Sequence, residues 1–204
     1  MTAGVDLLIA TGNAGKVREF REMLGADRFV WHDLSQMGKH EPVAETGHTF
    51  LDNASLKAAG YATQFDMWAL ADDSGLEVDA LAGKPGVHSA RWAEMNKAGK
   101  GDADNNALLL GQLGEIPDGF RGGRFVCVLT LSAPSGKIIL TARDTIEGQI
   151  LRSPRGVNGF GYDPLFMVEA LGKTIAELTG EQKHQISHRG KALRRLRQLM
   201  DQTL

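Results

Sequence analysis

The chain of 204 residues is long enough to bury a substantial core, and its 42% hydrophobic and 24% charged residues are ordinary for a globular protein. The formal net charge of −2 disfavours a long polyanion as partner, so an anion site has to be built locally. A single cysteine, Cys127, excludes an intrachain disulfide, and its apolar strand pattern predicts a core side chain rather than a nucleophile.

The first half of the chain alternates the patterns of strands and helices. In chain order it predicts a strand over 5–10, a glycine loop over 11–16, a helix over 17–25, a strand over 28–34, a polar stretch over 33–48, a helix over 48–66, a strand over 67–71, a turn over 72–75 and a strand over 76–81. Thr49 is the candidate N-cap of the second helix.

The second half begins with a loop rich in Gly and Pro. This loop covers residues 82–93. The pattern then predicts a helix over 102–116, a hairpin over 123–148 with its turn at 133–136, a glycine loop and strand over 153–166, and short helices over 173–178, 179–186 and 187–202. Thr174 and Glu177 match a capping box, Ser187 can cap the last helix, and Leu193, Leu196 and Leu199 or Met200 form its inner stripe. This order predicts a mixed α/β fold.

The loop TGNAGK, residues 11–16, is a candidate anion site. Gly12 and Gly15 leave backbone amides free at the start of a helix, beside the ammonium of Lys16. It is not a Walker A loop, because Val17 stands where that motif needs Ser or Thr. An ordinary strand-to-helix turn explains the glycines equally well.

Carboxylates occur at two places that can serve chemistry. Asp72 and Asp73 in ADDSG follow an apolar strand, where they indicate either a turn, the simpler interpretation, or a metal or acid/base site. Asp52 lies in the first turn of a helix, where the helix dipole accounts for it, whereas Glu45 has no such structural reason.

Two further segments suggest a ligand for the second half of the chain. Phe160, between the glycines of GFGYDP, can stack on a flat base, although a turn with an inward-packed aromatic is the simpler interpretation. Basic residues cluster in KHQISHRGK at the start of a helix, where they oppose the dipole unless an anionic or carbonyl-bearing ligand offsets them. His184 and His188 lack a third ligand, so zinc is disfavoured.

Together these segments describe a site for a magnesium–nucleotide complex, and in them the sequence resembles the inosine triphosphate pyrophosphatase family. The matching segments are TGNAGK, ETGHTF, NASLKA, ADDSGLEVDAL, PGVHSARWA, GFGYDPLF and ISHRGKAL, which span residues 11–193. The resemblance implies an α/β fold with a mixed, curved central sheet and flanking helices. It implies a single domain over 1–204 with two lobes around a nucleotide-binding cleft.

The resemblance also implies an activity, a cofactor and partners. The activity is Mg²⁺-dependent hydrolysis of deaminated purine nucleoside triphosphates (ITP, dITP and XTP) to monophosphate and pyrophosphate, with Mn²⁺ as a possible substitute. The family usually forms homodimers. The absence of a basic leader and of an apolar run of about 20 residues favours a cytoplasmic protein without a membrane partner. The net charge of −2 and the lack of a long basic stripe disfavour a nucleic-acid partner.

The family's pattern assigns roles to residues of this chain. Glu45 and Asp73 serve the metal, and Asp73 is also the proton acceptor. The substrate-binding residues are Thr11, Gly12, Asn13, Ala14, Gly15 and Lys16 for the phosphates, Ser74, and Phe160, Gly161, Tyr162, Asp163, Lys183, Ser187, His188 and Arg189 for the base pocket.

Two positions depart from that pattern. Asp52 stands where Glu is usual, which puts its reach to a metal in doubt, and Trp92 stands where Tyr or Phe is usual. Three other interpretations compete: a pyrophosphatase for pyrimidine nucleotides, a nucleotide sensor without hydrolysis, and a nucleic-acid-binding module. The first would lack the base-pocket segments, the second would be expected to lose Glu45 or Asp73, and the net charge disfavours the third.

Overall fold

Seven strands form one mixed sheet in the order β2-β1-β3-β4-β5-β6-β7, in a computed structural model that describes residues 5–24 and 29–203. The strands are β1 Val5–Ile9, β2 Phe29–Asp33, β3 Trp68–Val78, β4 Gly122–Ser132, β5 Ile138–Ile150, β6 Phe166–Val168 and β7 Lys173–Thr174. β1 pairs in parallel with β2 and β3, whereas β6 pairs antiparallel with β5 and β7. The predicted mixed α/β fold is therefore confirmed.

Six α-helices accompany the sheet within the described residues. They are α1 Ala14–Met23, α2 Phe50–Phe65, α3 Trp92–Met95, α4 Asp102–Gln112, α5 Gly180–Ile186 and α6 His188–Thr203. In this described part of the chain, every helix is too short or too polar to cross a membrane.

The predicted helix caps are confirmed. Thr49 and Asp52 form a reciprocal capping box at the start of α2, and the Glu177 carboxylate accepts from the Thr174 amide at 2.7 Å. Ser187 Oγ accepts from the Gly190 amide in the first turn of α6. Each cap satisfies amides that have no partner inside their helix, which fixes where these elements begin.

The chain divides into two compact units. The first unit contains the described residues up to Asp73, Cys127–Arg143 and the residues from Ala192 onward; the second contains Ser74–Val126 and Asp144–Lys191. Buried α6 residues, Ala192, Leu193, Leu196 and Met200, join the first unit's core as the apolar stripe predicted, and Cys127 is buried there too. The second unit has its own core, which includes Leu109, Phe125, Tyr162 and Phe166.

The turn predicted over 72–75 is wrong, because β3 runs unbroken from Trp68 to Val78. Asp72 and Asp73 lie inside this strand, and both are buried. Turn propensity is overridden here by lysine partners for both carboxylates. Gly75 serves close packing rather than a turn, since a Cβ there would lie 2.5 Å from the Gly86 carbonyl oxygen.

Other boundaries differ in detail. α1 begins at Ala14 rather than Val17, because the Asn13 side chain caps it. The predicted loop over 82–93 contains a 3₁₀ helix, Gly86–Arg91, and the segment predicted as a helix over 173–178 is β7 followed by one 3₁₀ turn. The predicted end of the first helix at residue 25 and start of the second strand at 28 lie outside the described residues.

Gly190 allows α6 to approach α5 closely. A Cβ at this position would lie 1.9 Å from the His184 carbonyl oxygen, which belongs to the backbone of α5 and cannot move alone. Glycine is therefore required here by space, inside a helix where alanine would otherwise be favoured.

We expect Gly190→Ala to lower the free energy of unfolding by about 1–3 kcal/mol, the usual cost of overpacking. Gly111→Ala in α4 is the matched control, because no atom lies within 4 Å of its added Cβ. The control should be neutral or stabilising by up to about 1 kcal/mol. Denaturant unfolding of both variants checks this, and equal effects would show that Gly190 is not held by α5.

Candidate active site

A buried lysine joins two carboxylates in the first unit. Lys57 lies on α2, and its Nζ is 3.1 Å from Glu45 Oε1 and 2.9 Å from Asp73 Oδ1. The Lys57 and Asp73 side chains are only 9% and 6% exposed, whereas Glu45 is 31% exposed. Glu45 and Asp73, the two predicted metal residues, are thus brought together around one ammonium.

The charges of this cluster perturb one another. Burial alone lowers the pKa of Lys57, but the carboxylates of Asp73 and Glu45 outweigh it, so the pKa is raised and the lysine stays charged. Burial raises the pKa of Asp73, against the opposing effect of the Lys57 and Lys16 ammonium groups. A carboxylate with a raised pKa is better suited to accept a proton at neutral pH.

Asp73 retains capacity for another partner. Its second oxygen, Oδ2, is buried and accepts no hydrogen bond from any residue that the structure describes. Such an atom is costly unless a cation or donor reaches it. Glu45 and Asp73 offer oxygen ligands only, which fits Mg²⁺, an ion that binds one or two carboxylates together with substrate phosphates.

Residues 5–24 and 29–203 contain no group of three or more His, Cys, Asp and Glu side chains arranged as a metal centre. A dedicated cage of protein ligands is therefore not the kind of site present in this part of the chain. A site in which two carboxylates and the phosphate oxygens of a ligand together hold an ion would remain compatible with this result.

A second lysine–carboxylate pair lies in the same unit. Lys16 Nζ donates to Asp72 Oδ1, and the Cys127 thiol lies 3.1 Å from Asp72 Oδ2. Asp72 is fully buried, and the Lys16 side chain is 12% exposed. Asp72 therefore positions the lysine that the sequence assigned to phosphate.

The predicted phosphate loop, residues 11–16, contains hydrogen bonds between its own residues. Asn13 Oδ1 accepts from the Lys16 amide at 3.0 Å, and Thr11 Oγ1 accepts from the Asn13 amide. Ala14 and Gly15 occupy the first turn of α1, where amides have no intrahelical partner and can meet an anion. Thr11, Gly12 and Ala14 also line a cavity of about 510 Å³ that reaches the side chains of Arg18 and Arg21.

In the second unit, an ion pair holds the aromatic loop. Lys183 Nζ lies 2.6 Å from Asp163 Oδ2, and the same oxygen accepts from the Phe160 amide at 3.0 Å. Lys183 Nζ also lies 4.7 Å from the centre of the Phe160 ring, within reach of a cation–π contact. These three predicted residues are thus brought together.

Arg189 belongs to the same group. Its guanidinium donates to Ser74 Oγ at 2.7 Å and lies 5.8 Å from the Phe160 ring centre. The residue is 1% exposed, so its charge is held inside the second unit. Ser74, Phe160, Lys183 and Arg189 therefore form one cluster of two cations, an aromatic ring and a hydroxyl.

Three other predicted base-pocket side chains serve the packing of the second unit in this structure. Tyr162 lies in the core, where its hydroxyl donates to the Ser89 carbonyl oxygen at 2.9 Å and burial raises its pKa. Ser187 caps α6, and the His188 ring stacks on Phe125 at 4.9 Å between centres.

The two departures from the family pattern have structural roles. The Asp52 carboxylate accepts from the Thr49 amide at 3.1 Å, which completes the cap of α2. Trp92 is 8% exposed, and its indole N–H donates to Gln112 Oε1 at 2.9 Å. Asp52 is thus engaged by its own helix, which agrees with the structural role predicted for it.

Comparison with known proteins identifies the family. The model of the Ham1 family matches residues 7–199. The chain belongs to the Ham1 family. A protein of Exiguobacterium sibiricum named dITP/XTP pyrophosphatase is 51% identical to this Ham1 chain over 93% of its length and 94% of the relative. A Bacillus subtilis protein of the same name is 43% identical over 96% of this chain and 97% of that protein.

Solved structures of Ham1 proteins share the fold. The Ham1 protein of Coxiella burnetii superimposes with a TM-score of 0.85 at 37% identity, over 97% of this chain and 99% of that one. The Staphylococcus aureus Ham1 protein gives 0.83 at 40% identity, over 96% and 98% of the two chains. The family resemblance inferred from the motifs is therefore confirmed.

The motifs of this Ham1 chain did not predict a role for Lys57 in the site, although it lies inside NASLKA. Helical spacing could have indicated it, because Lys57 lies on the buried face of α2. The apolar residues of that face are Phe50, Ala54, Ala58 and Tyr61. A lysine among apolar helix positions requires a buried partner.

Asp102 and Asn106 on α4 were also missed. Asp102 Oδ2 accepts from the Gly161 amide at 2.7 Å, and Asn106 Nδ2 donates to the Gly161 carbonyl oxygen at 3.0 Å. They lie four residues apart on one helix, so both reach the same peptide segment. No motif in this Ham1 sequence predicted these two hydrogen bonds, because they join residues that are 55 and 59 positions apart.

Proposed function

We propose that this protein hydrolyses dITP, XTP and ITP to the nucleoside monophosphate and pyrophosphate. One observation carries the proposal: Asp73 presents a buried oxygen without a described hydrogen-bond partner, beside Glu45, in a chain whose relatives are named dITP/XTP pyrophosphatases over nearly their whole length. Removal of such nucleotides from the cellular pool is the corresponding role.

Magnesium, or manganese in its place, is part of this proposal. Glu45 and Asp73 would hold the ion, which would supply positive charge to the phosphates. The oxygen-only donor set and the open Asp73 Oδ2 support this assignment.

Different residues of the chain then carry out the proton transfer and the stabilisation of negative charge. Asp73 orients the attacking water and accepts its proton, for which its raised pKa suits it. Lys16 and the amides of Ala14 and Gly15 neutralise the pyrophosphate that leaves from the α-phosphorus. Lys57 adds a second ammonium, after Lys16, to the first unit's site.

We propose that the purine base of the substrate binds at the second unit's cluster of Ser74, Phe160, Lys183 and Arg189. Lys183 and Arg189 carry hydrogen-bond donors only, which match the carbonyl at position 6 of hypoxanthine and xanthine and cannot accept from the amino group of adenine. The polar surroundings of Phe160, with two cations near its ring, support a flat, electron-rich ligand such as a purine.

A panel of nucleoside triphosphates with product analysis tests the function. With Mg²⁺, dITP and XTP should give monophosphate and pyrophosphate, and ATP should react far more slowly. Diphosphate with orthophosphate as products would contradict attack at the α-phosphorus. Unchanged turnover after exhaustive chelation would contradict the role of the metal.

Asp73→Asn should lower kcat by at least about 10²-fold, the low end for loss of a general base. Asp52→Asn is the matched control, because this carboxylate caps α2 and should leave turnover close to wild type. Steady-state rates with dITP, alongside unfolding curves for both variants, measure the difference. Near wild-type turnover of a folded Asp73→Asn protein would return Asp73 to a structural role.

Arg189→Gln should narrow the preference for ITP over ATP, because an amide can both donate and accept. Phe160→Ala should weaken both substrates about equally, since every base offers a stacking face. The measurement is kcat/KM for ITP and ATP on each variant, with thermal unfolding to exclude loss of fold. An unchanged ratio in Arg189→Gln would mean that the base is read elsewhere.

The remaining features of the proposal concern organisation. We propose a single domain over residues 1–204, a homodimer and a cytoplasmic location, all of which rest on the family resemblance. Size-exclusion chromatography with light scattering measures the oligomeric state.

A further inference from the structure

Lys57 occupies the place where the proposed metal residues converge. Its ammonium contacts Glu45 Oε1 at 3.1 Å and Asp73 Oδ1 at 2.9 Å, so one positive charge serves both carboxylates. With the side chain 9% exposed, water contributes little to its solvation. The two carboxylates and the ammonium together carry a net charge of −1 rather than −2.

A divalent cation and this ammonium compete for the same two carboxylates. Mg²⁺ requires carboxylate oxygens at about 2.0–2.1 Å, and an ammonium that keeps its hydrogen bonds to the same carboxylates would then lie close to the ion. Like charges a few ångströms apart in a partly buried site repel strongly. The Lys57 contacts therefore oppose metal binding for as long as they persist.

A polyphosphate offers the ammonium another partner. Its oxygens are negatively charged acceptors, so Lys57 can leave Glu45 and Asp73 without losing charge-assisted hydrogen bonds. Glu45 precedes α2 in a segment without helix or strand, and it is the more exposed of the two carboxylates. Its side chain is accordingly the one able to adjust when the ammonium moves.

We propose that Lys57 is a built-in counter-ion that keeps the divalent cation out of the nucleotide-free site and transfers to the phosphates when the nucleotide arrives. This inference rests on the proposed function. It makes metal and polyphosphate binding cooperative, since each favours the arrangement that the other requires. The free protein then remains metal-poor while the substrate complex is metal-loaded.

The test is Mn²⁺ binding to the nucleotide-free protein, followed by electron paramagnetic resonance. Lys57→Met should bind Mn²⁺ at least about tenfold more tightly than wild type, because the competing charge is gone. Lys57→Arg, which keeps the charge, should bind as weakly as wild type. Lys16→Met is the matched control, since it removes the same charge from a buried pair with Asp72, and its gain should be smaller.

Equal Mn²⁺ affinity in wild type and folded Lys57→Met would overturn the inference, as would an equal gain in Lys16→Met. Should Lys57→Met fail to fold, wild type still decides the matter: inorganic pyrophosphate must strengthen Mn²⁺ binding, and its failure to do so overturns the proposal. These outcomes are separate from turnover. A protein that converts dITP to monophosphate yet fails them loses only this inference, whereas one that hydrolyses no nucleotide loses the proposed function.

Discussion

The first unit is organised around an ammonium buried between two carboxylates. Lys57 comes from a helix, Glu45 from the segment before it and Asp73 from the interior of a strand, so their contacts fix three parts of the chain against one another. Removing one member of a buried ion pair leaves an uncompensated charge, at a typical cost of about 3–5 kcal/mol. The arrangement therefore constrains the fold and the candidate site at the same time.

The second unit also contains a buried carboxylate that fixes several groups around it. Asp163 accepts from both Lys183 and the Phe160 amide, so one buried carboxylate sets the place of a cation and of an aromatic ring. In each unit a buried carboxylate is paired with a buried lysine of the same unit. A charged ligand at either cluster would therefore compete with an internal ion pair.

Local patterns predicted those elements whose cause is local. Thr49, Thr174 and Ser187 cap helices through residues three positions away, and the stripe of α6 follows from helical spacing alone. The candidate residues for metal and base were also found from the sequence, with the help of the family resemblance, and the structure places Glu45 beside Asp73 and Lys183 beside Asp163.

Other features depended on partners distant along the chain. ADDSG has the composition of a turn, but Lys16 and Lys57 neutralise its carboxylates, and a continuous strand becomes possible. Asp102, in the same way, could be recognised only after α4 was placed beside Gly161. The spacing of residues in the sequence does not predict contacts between distant segments unless a known motif links them.

The double anchoring of Gly161 has a consequence for recognition. Both polar groups of its backbone are hydrogen-bonded to α4, and its φ of 62° is a conformation that glycine adopts without strain. α4 therefore holds the backbone beside Phe160 in a defined conformation. For the proposed base site, a surface held in this way would lose little conformational entropy on association, so more of the free energy of its contacts would contribute to affinity.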